Sequence, residues 1–400
     1  MSIVSGTSPR SALSWPKVIT LAASAGAIAA NLYYVQPLLH LISQDFRTSE
    51  GSVGLTITVS QATFALGLVA VLPLADRYGR SKLLTILLAL SAIGLALVAL
   101  APDLPVLLIA FGLVGLSNVA AQVVVPAAAS LTDGETRGKV VGAVISGMLT
   151  GILLARTVSG AIGDAVGWRS MYFFAAGLMV INALVMRRVL TDLPVTGPRL
   201  SYLAILRSTP GLYRTYRQLP IRSALGAVAF AAFSLFWSTV AFVLSSDHYR
   251  YSPATIGLFG LLGAAGALAA NQFGRVRKPA RLFPTVLTIG LIAVSFVTLI
   301  PASRALVWMI AGIVLLDVGA QGLNVLNQSL IYDVASGEQA RANSGYMTCY
   351  FAGGAVGSAV GSLAWTTAGW TGVCIAGIAI SVVGAALLPR VRSLGRSISA

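Results

Sequence analysis

The chain has 400 residues, of which 56% are hydrophobic and only 10% are charged. A soluble domain carries roughly 25% charged residues, so this composition excludes an ordinary soluble protein and indicates one that lies within a bilayer. The formal net charge is +15, but no nucleic-acid partner is expected, because the basic residues stand in short clusters between long apolar runs. The two cysteines, Cys349 and Cys374, lie in apolar runs and predict no disulfide framework.

Long apolar runs separated by short charged segments predict twelve transmembrane helices of about 20 residues each. In chain order the predicted spans cover residues 18–39, 52–75, 83–101, 104–131, 140–163, 170–189, 223–246, 253–273, 283–301, 305–332, 343–365 and 370–389. One long polar connection divides them. We therefore expect an N-terminal six-helix bundle (1–190), a basic cytoplasmic linker (191–222) and a C-terminal six-helix bundle (223–400).

The basic residues are distributed unevenly between the two sides of the predicted bundle. Of the 27 Lys and Arg residues, 22 fall on the side of the N-terminus, and one, Arg156, lies inside a span. The four on the opposite side are Arg47, Arg169, Arg250 and Arg304. Because cytoplasmic loops carry the excess of Lys and Arg, both termini are expected in the cytoplasm of a multi-pass inner-membrane protein.

The loop after the second predicted span carries a recognisable motif. It reads Leu72-Pro73-Leu74-Ala75-Asp76-Arg77-Tyr78-Gly79-Arg80-Ser81-Lys82. Asp76, Arg77, Gly79 and Arg80 match the signature G-x-L-a-D-R-x-G-R-[RK] between helices 2 and 3 of the major facilitator superfamily, with Leu72 in place of its first glycine. The chain thus resembles this family, and its tenth and eleventh spans resemble the bacterial branch near the drug:proton and sugar efflux permeases.

The resemblance implies an all-α membrane protein whose twelve transmembrane helices form two pseudo-symmetric six-helix bundles. It also implies that the signature residues hold the cytoplasmic face closed, so we expect Asp76 to act in gating rather than in solute contact. Polar and aromatic residues in the helices that face the family's cavity are cavity candidates: Asn31, Tyr34, Gln36, Gln61, Asn118, Gln122, Trp237, Tyr346 and Tyr350. For any single one of these, a hydrogen bond between helices is an equally good interpretation.

Two charged residues fall inside predicted spans, Arg156 in the fifth and Asp317 in the tenth. A charge within the bilayer costs about 2.5–3.5 kcal/mol, so both are candidates for a functional site. Gln321, Asn324 and Gln328 follow Asp317 at spacings that keep them on one helix face. We expect Asp317 to bind a proton or contact the solute, and Arg156 to anchor an anion or to tune that carboxyl group. The alternative is a buried ion pair that only locks the helices together.

The two predicted bundles repeat several features in the same order. Gly167-Trp168 opens the sixth span, and Gly369-Trp370 opens the twelfth. Glycines four residues apart, as in the series from Gly353 to Gly361, predict close helix contacts, which either pack the helices statically or slide as the halves move. The repeats predict two parallel six-helix units with a solute site between them near the middle of the membrane.

The predicted function is secondary active transport of a small solute by alternating access, with proton-coupled efflux of a drug or sugar-like compound favoured. Uptake by proton symport or uniport is the alternative within transport, and a non-transporting sensor or scaffold lies outside it. An enzyme is not expected, because the sequence holds no H-E-x-x-H motif, phosphate loop or metal cluster. The expected partners are the solute, protons and the lipid bilayer, with no cofactor or metal, and the chain is expected to act as a monomer.

Overall fold

The computed structural model describes residues 14–132, 136–190, 210–264, 266, 268, 273, 282–334 and 338–396, which form helices joined by short turns. In the first half they are α1 (Trp15–Ala30), α2 (Leu39–Asp45), α3 (Glu50–Ala70), α4 (Leu74–Tyr78), α5 (Arg80–Leu100), α6 (Leu104–Ser117), α7 (Ala120–Ser130), α8 (Thr136–Val166) and α9 (Trp168–Val189). In the second half they are α10 (Gln218–Trp237), α11 (Val240–Ser245), α12 (Pro253–Leu258), α13 (Leu282–Leu299), α14 (Leu306–Val334), α15 (Gln339–Ala386) and α16 (Leu388–Arg396). Short 3-10 turns cover Gln36–Leu38, Phe259–Leu262 and Ile300–Ser303.

These helices supply the twelve predicted spans in the predicted order. Among the described residues, nine helices are long and apolar enough to cross a membrane. The longest, α15, contributes two spans because its backbone leaves the helical conformation at Gly369. Shorter apolar helices at Trp15–Ala30 and Pro253–Leu262 account for the first and eighth spans. Large apolar side chains such as Leu66 and Ile109 are exposed on the outside, where a bilayer would cover them.

Each half is built around a hydrophobic core of its own. One cluster of buried side chains runs from Val18 to Leu190 and takes in Phe242 from the other half. The second lies in the C-terminal half, with a few additions from the first half such as Phe64. Because most apolar contacts stay within one half, each half can keep its packing if the two move relative to each other.

The start of the seventh span differs from the prediction. Helix α10 begins at Gln218, inside the range predicted to be a cytoplasmic linker (191–222). Arg222 is buried in this helix and donates hydrogen bonds to Thr285 Oγ1 at 3.0 Å and to Asn327 Oδ1 at 3.3 Å. A cluster of arginines indicates a loop only if their charged groups must be hydrated by water. Here the hydrogen-bonding groups of Arg222 are met by protein side chains inside the bundle. Arg222 is therefore a third charged residue within a span.

The repeated Gly-Trp pairs mark equivalent turns in the two halves. Gly167 has a φ of 87° and Gly369 a φ of 58°, values that side chains with a Cβ rarely adopt. Each glycine reverses the chain between two long helices, and the following tryptophan is buried. The Trp168 indole donates to Asp45 Oδ2 at 3.1 Å, and the Trp370 indole donates to the Leu299 carbonyl at 2.7 Å. The sequence repeat therefore reflects a structural repeat.

Glycines set the closest helix contacts within each half. In α15, a Cβ added to Gly353 or Gly357 would overlap the carbonyl oxygens of Ala227 and Ala231 in α10. In α8, Gly147 and Gly151 make the equivalent contact with α1. These contacts join helices of the same half, so of the two interpretations the structure favours static packing for both glycine pairs.

We predict that Gly357→Ala destabilises the protein, whereas the matched change Gly290→Ala does not. The added methyl group at position 357 overlaps the Ala231 carbonyl, and overpacking typically costs about 1–3 kcal/mol. At Gly290 no atom lies within 4 Å of the added Cβ, so only the better helix propensity of alanine remains. The measurement is the apparent Tm of both purified variants in detergent. Equal melting of Gly357→Ala and the wild type would contradict the close contact.

Candidate solute-binding cavity

A large cavity lies between the two halves. Its volume is about 1560 Å³, and it extends from Arg156 and Asp317 at its centre to Arg80 and Arg341, at the end of the molecule that carries the signature loop. The described lining comes from spans 1, 2, 4 and 5 of the first half and from spans 7, 8, 10 and 11 of the second, together with Arg80 and residues of the segment before α10. The cavity opens at this end of the molecule.

Contacts between the halves close the opposite end. The Trp365 indole of α15 donates to Glu50 Oε2 at 2.8 Å, and Glu50 Oε1 lies 2.7 Å from His40 Nδ1. Deeper in the seal, Ser358 Oγ donates to the Gly54 carbonyl at 3.4 Å. Thr157 Oγ1 donates to the Gly257 carbonyl at 3.1 Å. The structure therefore represents a state in which the cavity is accessible from one side.

The side chain of Arg156, on α8, is surrounded by three aromatic rings and one side-chain amide. Its Nε donates to Gln36 Oε1. The guanidinium carbon lies 4.0 Å from the centre of the Trp237 ring, 5.1 Å from that of Tyr33 and 5.9 Å from that of Phe233, all within the range of cation–π attraction. The Nη2 atom is buried and has no hydrogen-bond partner among the described residues. Nη2 carries two N–H groups, so Arg156 has donors left to offer.

Asp317 lies on α14, in the other half, against a glycine-lined face of the eighth span. A Cβ added to Gly263 would come within 3.3 Å of Asp317 Oδ2, and one added to Gly266 would come within 2.7 Å of the Asp317 backbone and Cβ. Asp317 Oδ2 is buried and has no hydrogen-bond partner within the described part of the chain. Any larger residue at these glycines would displace the carboxylate.

Arg156 and Asp317 face the same cavity without forming an ion pair. Their charges interact through space, but no nitrogen of Arg156 comes within 4.0 Å of an oxygen of Asp317. The Trp237 indole N–H is also buried and lacks a hydrogen-bond partner among the described residues. A buried donor or acceptor without a partner costs about 1–3 kcal/mol, so the arrangement favours a ligand that fills the gap.

The polar face of α14 continues from Asp317 toward the open end. Gln321, Asn324 and Gln328 all line the cavity, as their spacing predicts. Gln328 Nε2 donates to Asn324 Oδ1 at 3.0 Å, and the Tyr346 hydroxyl donates to the same oxygen at 2.9 Å. This stripe offers a solute amide donors and acceptors along the path out of the cavity.

The other predicted cavity residues divide into two groups. Asn118, Gln122 and Tyr350 line the cavity. The remainder lie outside the described lining: Asn31, Tyr34, Gln36, Gln61, Trp237 and Tyr346.

Each residue of the second group is used in packing or support. Asn31 Nδ2 donates to Ser91 Oγ at 3.3 Å inside the first bundle, so its face of span 1 points away from the cavity. Tyr34 is buried in the core of that bundle. Gln61 Oε1 accepts a hydrogen bond from Ser234 Oγ at 3.0 Å and so links the halves. For Asn31 and Tyr34 the cavity prediction is wrong, because a polar residue in a span is as readily bonded between helices as exposed to solute.

The sequence prediction omitted several aromatic residues of the cavity wall. Tyr33 occupies the place expected for Tyr34, one residue away and on a different helix face. Phe230 and Phe233 of α10 also line the cavity, and Phe230 stacks on Tyr350 at 4.2 Å between ring centres. Their spacing of three residues places them on one face, but an apolar ring in a membrane helix gives no signal that separates a cavity wall from a lipid-facing surface.

The signature loop forms the turn between α4 and α5. Gly79 has a φ of 87°, and α5 begins at the next residue. Arg80 Nη1 donates to the Pro126 carbonyl of α7 at 3.1 Å, and Arg77 is exposed beside the ring of Tyr78. The side chain of Asp76 lies outside the described part of the structure, as do Asp133 and Glu135.

Two pseudo-symmetric bundles with a central, polar-lined cavity between them define the architecture of a membrane carrier for a small solute. A family model described as Major Facilitator Superfamily matches residues 21–335. The chain belongs to this superfamily, and it is a multi-pass transporter of the inner membrane.

Relatives and solved structures agree with this assignment. The chain is 38% identical over 379 residues to "Uncharacterized transporter YgaY" of Escherichia coli O157:H7, a match that covers 94% of this chain and 96% of the relative. It is 30% identical to "Probable transporter SCO4007" of Streptomyces coelicolor, over 95% of this chain and 88% of the relative. The crystal structure of a mutant of the peptide transporter POT in complex with alafosfalin shares the fold. It superposes with a TM-score of 0.72 at 15% identity, over 93% of this chain and 94% of that one.

The two native cysteines provide a test of the cavity. Cys349 lines it, whereas Cys374 is fully buried in the second core. Because alkylation requires access to the sulfur, N-ethylmaleimide should label Cys349 at least tenfold faster than Cys374 in the folded protein. Mass spectrometry of the wild type, Cys349→Ser and Cys374→Ser measures both rates. Comparable labelling of Cys374 would show that the described core or cavity is wrong.

We further predict that Glu50→Gln weakens the closed end. Glu50 accepts the Trp365 indole N–H across the two halves, and a hydrogen bond to a charged group contributes about 1.5–3 kcal/mol. A thiol introduced by Ser358→Cys in a background without Cys349 and Cys374 lies beneath this seal and reacts only when it opens. Glu50→Gln should raise its labelling rate about tenfold or more.

Asp164→Asn is the matched control for this experiment. Asp164 lies near the same end of the molecule, close to the end of α8, but it is exposed. Its substitution should leave the labelling rate of the introduced thiol unchanged. An unchanged rate in Glu50→Gln would contradict a role of the Glu50–Trp365 hydrogen bond in closing this end.

Proposed function

We propose that this transporter exports a small drug-like or sugar-like solute from the cytoplasm in exchange for protons, by alternating access. The observation that carries the proposal is Asp317, a buried acid that lines the cavity between the halves and has one oxygen without a hydrogen-bond partner among the described residues. A carrier that couples to protons needs a group whose charge changes between its two access states. Arginine keeps its proton in the usable range, so Arg156 does not meet this requirement.

The surroundings of Asp317 support a change in its protonation during the cycle. Opening the cavity to one side hydrates the carboxylate, and closing it removes water, and each step changes the group's affinity for a proton. Arg156 interacts with Asp317 through space from the opposite half. Relative motion of the halves therefore changes the distance between the cation and the acid, and with it the proton affinity of Asp317.

Export is supported by a weaker argument from relatives. A "Probable sugar efflux transporter" of Helicobacter acinonychis is 27% identical over 244 residues, which covers 60% of each chain. The amide stripe on α14 can donate and accept hydrogen bonds, as recognition of a polar solute requires.

The proposal includes the orientation of the protein and its gate. The positive-inside distribution supports an orientation with both termini and the open end of the cavity in the cytoplasm. We assign Asp76, Arg77, Gly79 and Arg80 to closure of that end, with Arg80 already bonded to the Pro126 carbonyl of α7. A single chain contains both halves of the cavity, so the transporting unit is a monomer.

We predict that Asp317→Asn abolishes transport driven by a pH gradient but preserves the exchange of solute down its own gradient. The amide keeps the shape of the carboxylate but cannot be titrated. The assay uses proteoliposomes and a panel of cationic drugs, sugars and organic acids, with proton flux followed by a pH-sensitive dye. The compound that elicits proton release is then used to compare the wild type, Asp317→Asn and the exposed control Asp164→Asn.

The direction of the imposed gradient separates the candidate mechanisms. Antiport requires solute to accumulate when the lumen is acidic, whereas symport requires an acidic exterior, and a uniporter responds to neither. Concentrative transport by Asp317→Asn under a pH difference would show that the proton uses another group. Asp164→Asn should transport the solute like the wild type under each imposed pH gradient.

A further inference from the structure

A cation and an acid from opposite halves line the centre of the cavity: Arg156 and Asp317. Arg156 Nη2 and Asp317 Oδ2 are both buried, and neither has a hydrogen-bond partner in the described part of the chain. Gln36 accepts only from Nε, and three aromatic rings lie within cation–π range of the guanidinium. A solute that offers only hydroxyl groups would leave both charges without counter-charges. The pair therefore points to a ligand that carries charge of both signs.

The gap between the two groups sets the size of the charged part of that ligand. The eighth span touches both: a Cβ on Gly260 would lie 2.8 Å from Arg156 Cδ, and one on Gly263 would lie 3.3 Å from Asp317 Oδ2. Three residues of helix rise by about 5 Å, so the Arg156 stem and the Asp317 carboxylate contact this span about one helical turn apart. They do not meet within 4.0 Å. A ligand whose anionic and cationic groups are separated by a few bonds can contact both residues at once from the cavity.

The walls around this pair require an apolar body on the same ligand. Tyr33 and Phe233 flank Arg156, and Phe230 and Tyr350 stack on each other beside the cavity. Phe351 closes the wall next to Phe230, at 5.1 Å between ring centres. Aromatic side chains contribute through large apolar contacts, which a small polar solute cannot use.

We propose that the cavity binds amphipathic zwitterions, compounds whose anionic group is held by Arg156, whose ammonium group is held by Asp317, and whose apolar or aromatic body packs on the rings. This inference deepens the proposed function and rests on it, because the ammonium group and the coupling proton then compete for the same carboxylate. It narrows the drug-or-sugar class and excludes neutral sugars as the preferred solutes.

The test uses three probes that share one aromatic skeleton. L-phenylalanine carries both charges, 2-phenylethylamine lacks the carboxylate, and 3-phenylpropanoate lacks the amine. Binding to the purified full-length transporter in detergent is measured at neutral pH by equilibrium dialysis of the labelled compounds. We expect L-phenylalanine to bind at least tenfold tighter than either 2-phenylethylamine or 3-phenylpropanoate, because each analogue leaves one buried charge of the protein without a counter-charge. Equal or tighter binding of either analogue, or no saturable binding of L-phenylalanine, overturns the inference.

Two variants assign each charge of the ligand to its residue. Arg156→Gln should reduce the affinity for L-phenylalanine at least tenfold without weakening the binding of 2-phenylethylamine. Asp317→Asn should also reduce the affinity for L-phenylalanine at least tenfold, without weakening the binding of 3-phenylpropanoate. Arg137→Gln and Asp164→Asn remove exposed charges from α8 and should leave all affinities unchanged. A uniform loss for all three probes in either cavity variant would indicate a structural role and overturn the assignment.

The binding assay separates this inference from the proposed function. It needs no membrane and no pH gradient, so the preference for a zwitterion can hold even where proton-driven accumulation is absent. Conversely, proton coupling with a sugar or a simple cation as solute would support the proposed function and overturn the zwitterion site. Size-exclusion profiles and melting curves of each variant establish that the compared proteins are folded.

Discussion

The cost of placing charge in a hydrocarbon medium governs the organisation of this protein. A charged side chain inside a bilayer costs at least about 2.5–3.5 kcal/mol, so Arg156, Arg222 and Asp317 persist only where the protein replaces the lost water. Arg222 is fully accommodated by hydrogen bonds within its own half. Arg156 and Asp317 are not: both line the cavity, and each keeps a buried polar atom without a partner among the described residues. The inward-facing polar stripe and the apolar outer surface both follow from this constraint.

The contacts between the halves are concentrated at one end of the cavity. There, glycines allow backbones to touch: a Cβ on Gly160 would overlap the Pro253 carbonyl, and one on Gly257 would overlap the carbonyl of Arg156. The Glu50–Trp365 hydrogen bond adds a polar link to the same end. Because each half retains its own core, opening this end requires only the loss of interface contacts. Glycine pairs within a half, such as Gly353 and Gly357 against α10, keep the moving units rigid.

The sequence predicted the fold well, because hydropathy, charge asymmetry and the Gly-Trp repeat all report constraints of the bilayer and the backbone. It also placed Asp317, Gln321, Asn324 and Gln328 on one face, since helical periodicity fixes that relation. The start of α10 was missed because buried and loop arginines are alike in sequence. Tyr34 was named in place of Tyr33, because the rotation of one helix against its neighbours depends on packing that periodicity does not specify.

The position of Arg156 between the halves links the electrostatics of the cavity to its opening. Its Nε is bonded to Gln36 in its own half, whereas Trp237 and Phe233, which also contact the guanidinium, belong to the other. In the proposed alternating-access cycle, Arg156 moves with Gln36 and changes its distance to Trp237 and Asp317. The carboxylate then loses or gains a neighbouring cation as the cavity changes sides. Under the proposed function, access and proton affinity are coupled through this one side chain, without a separate relay.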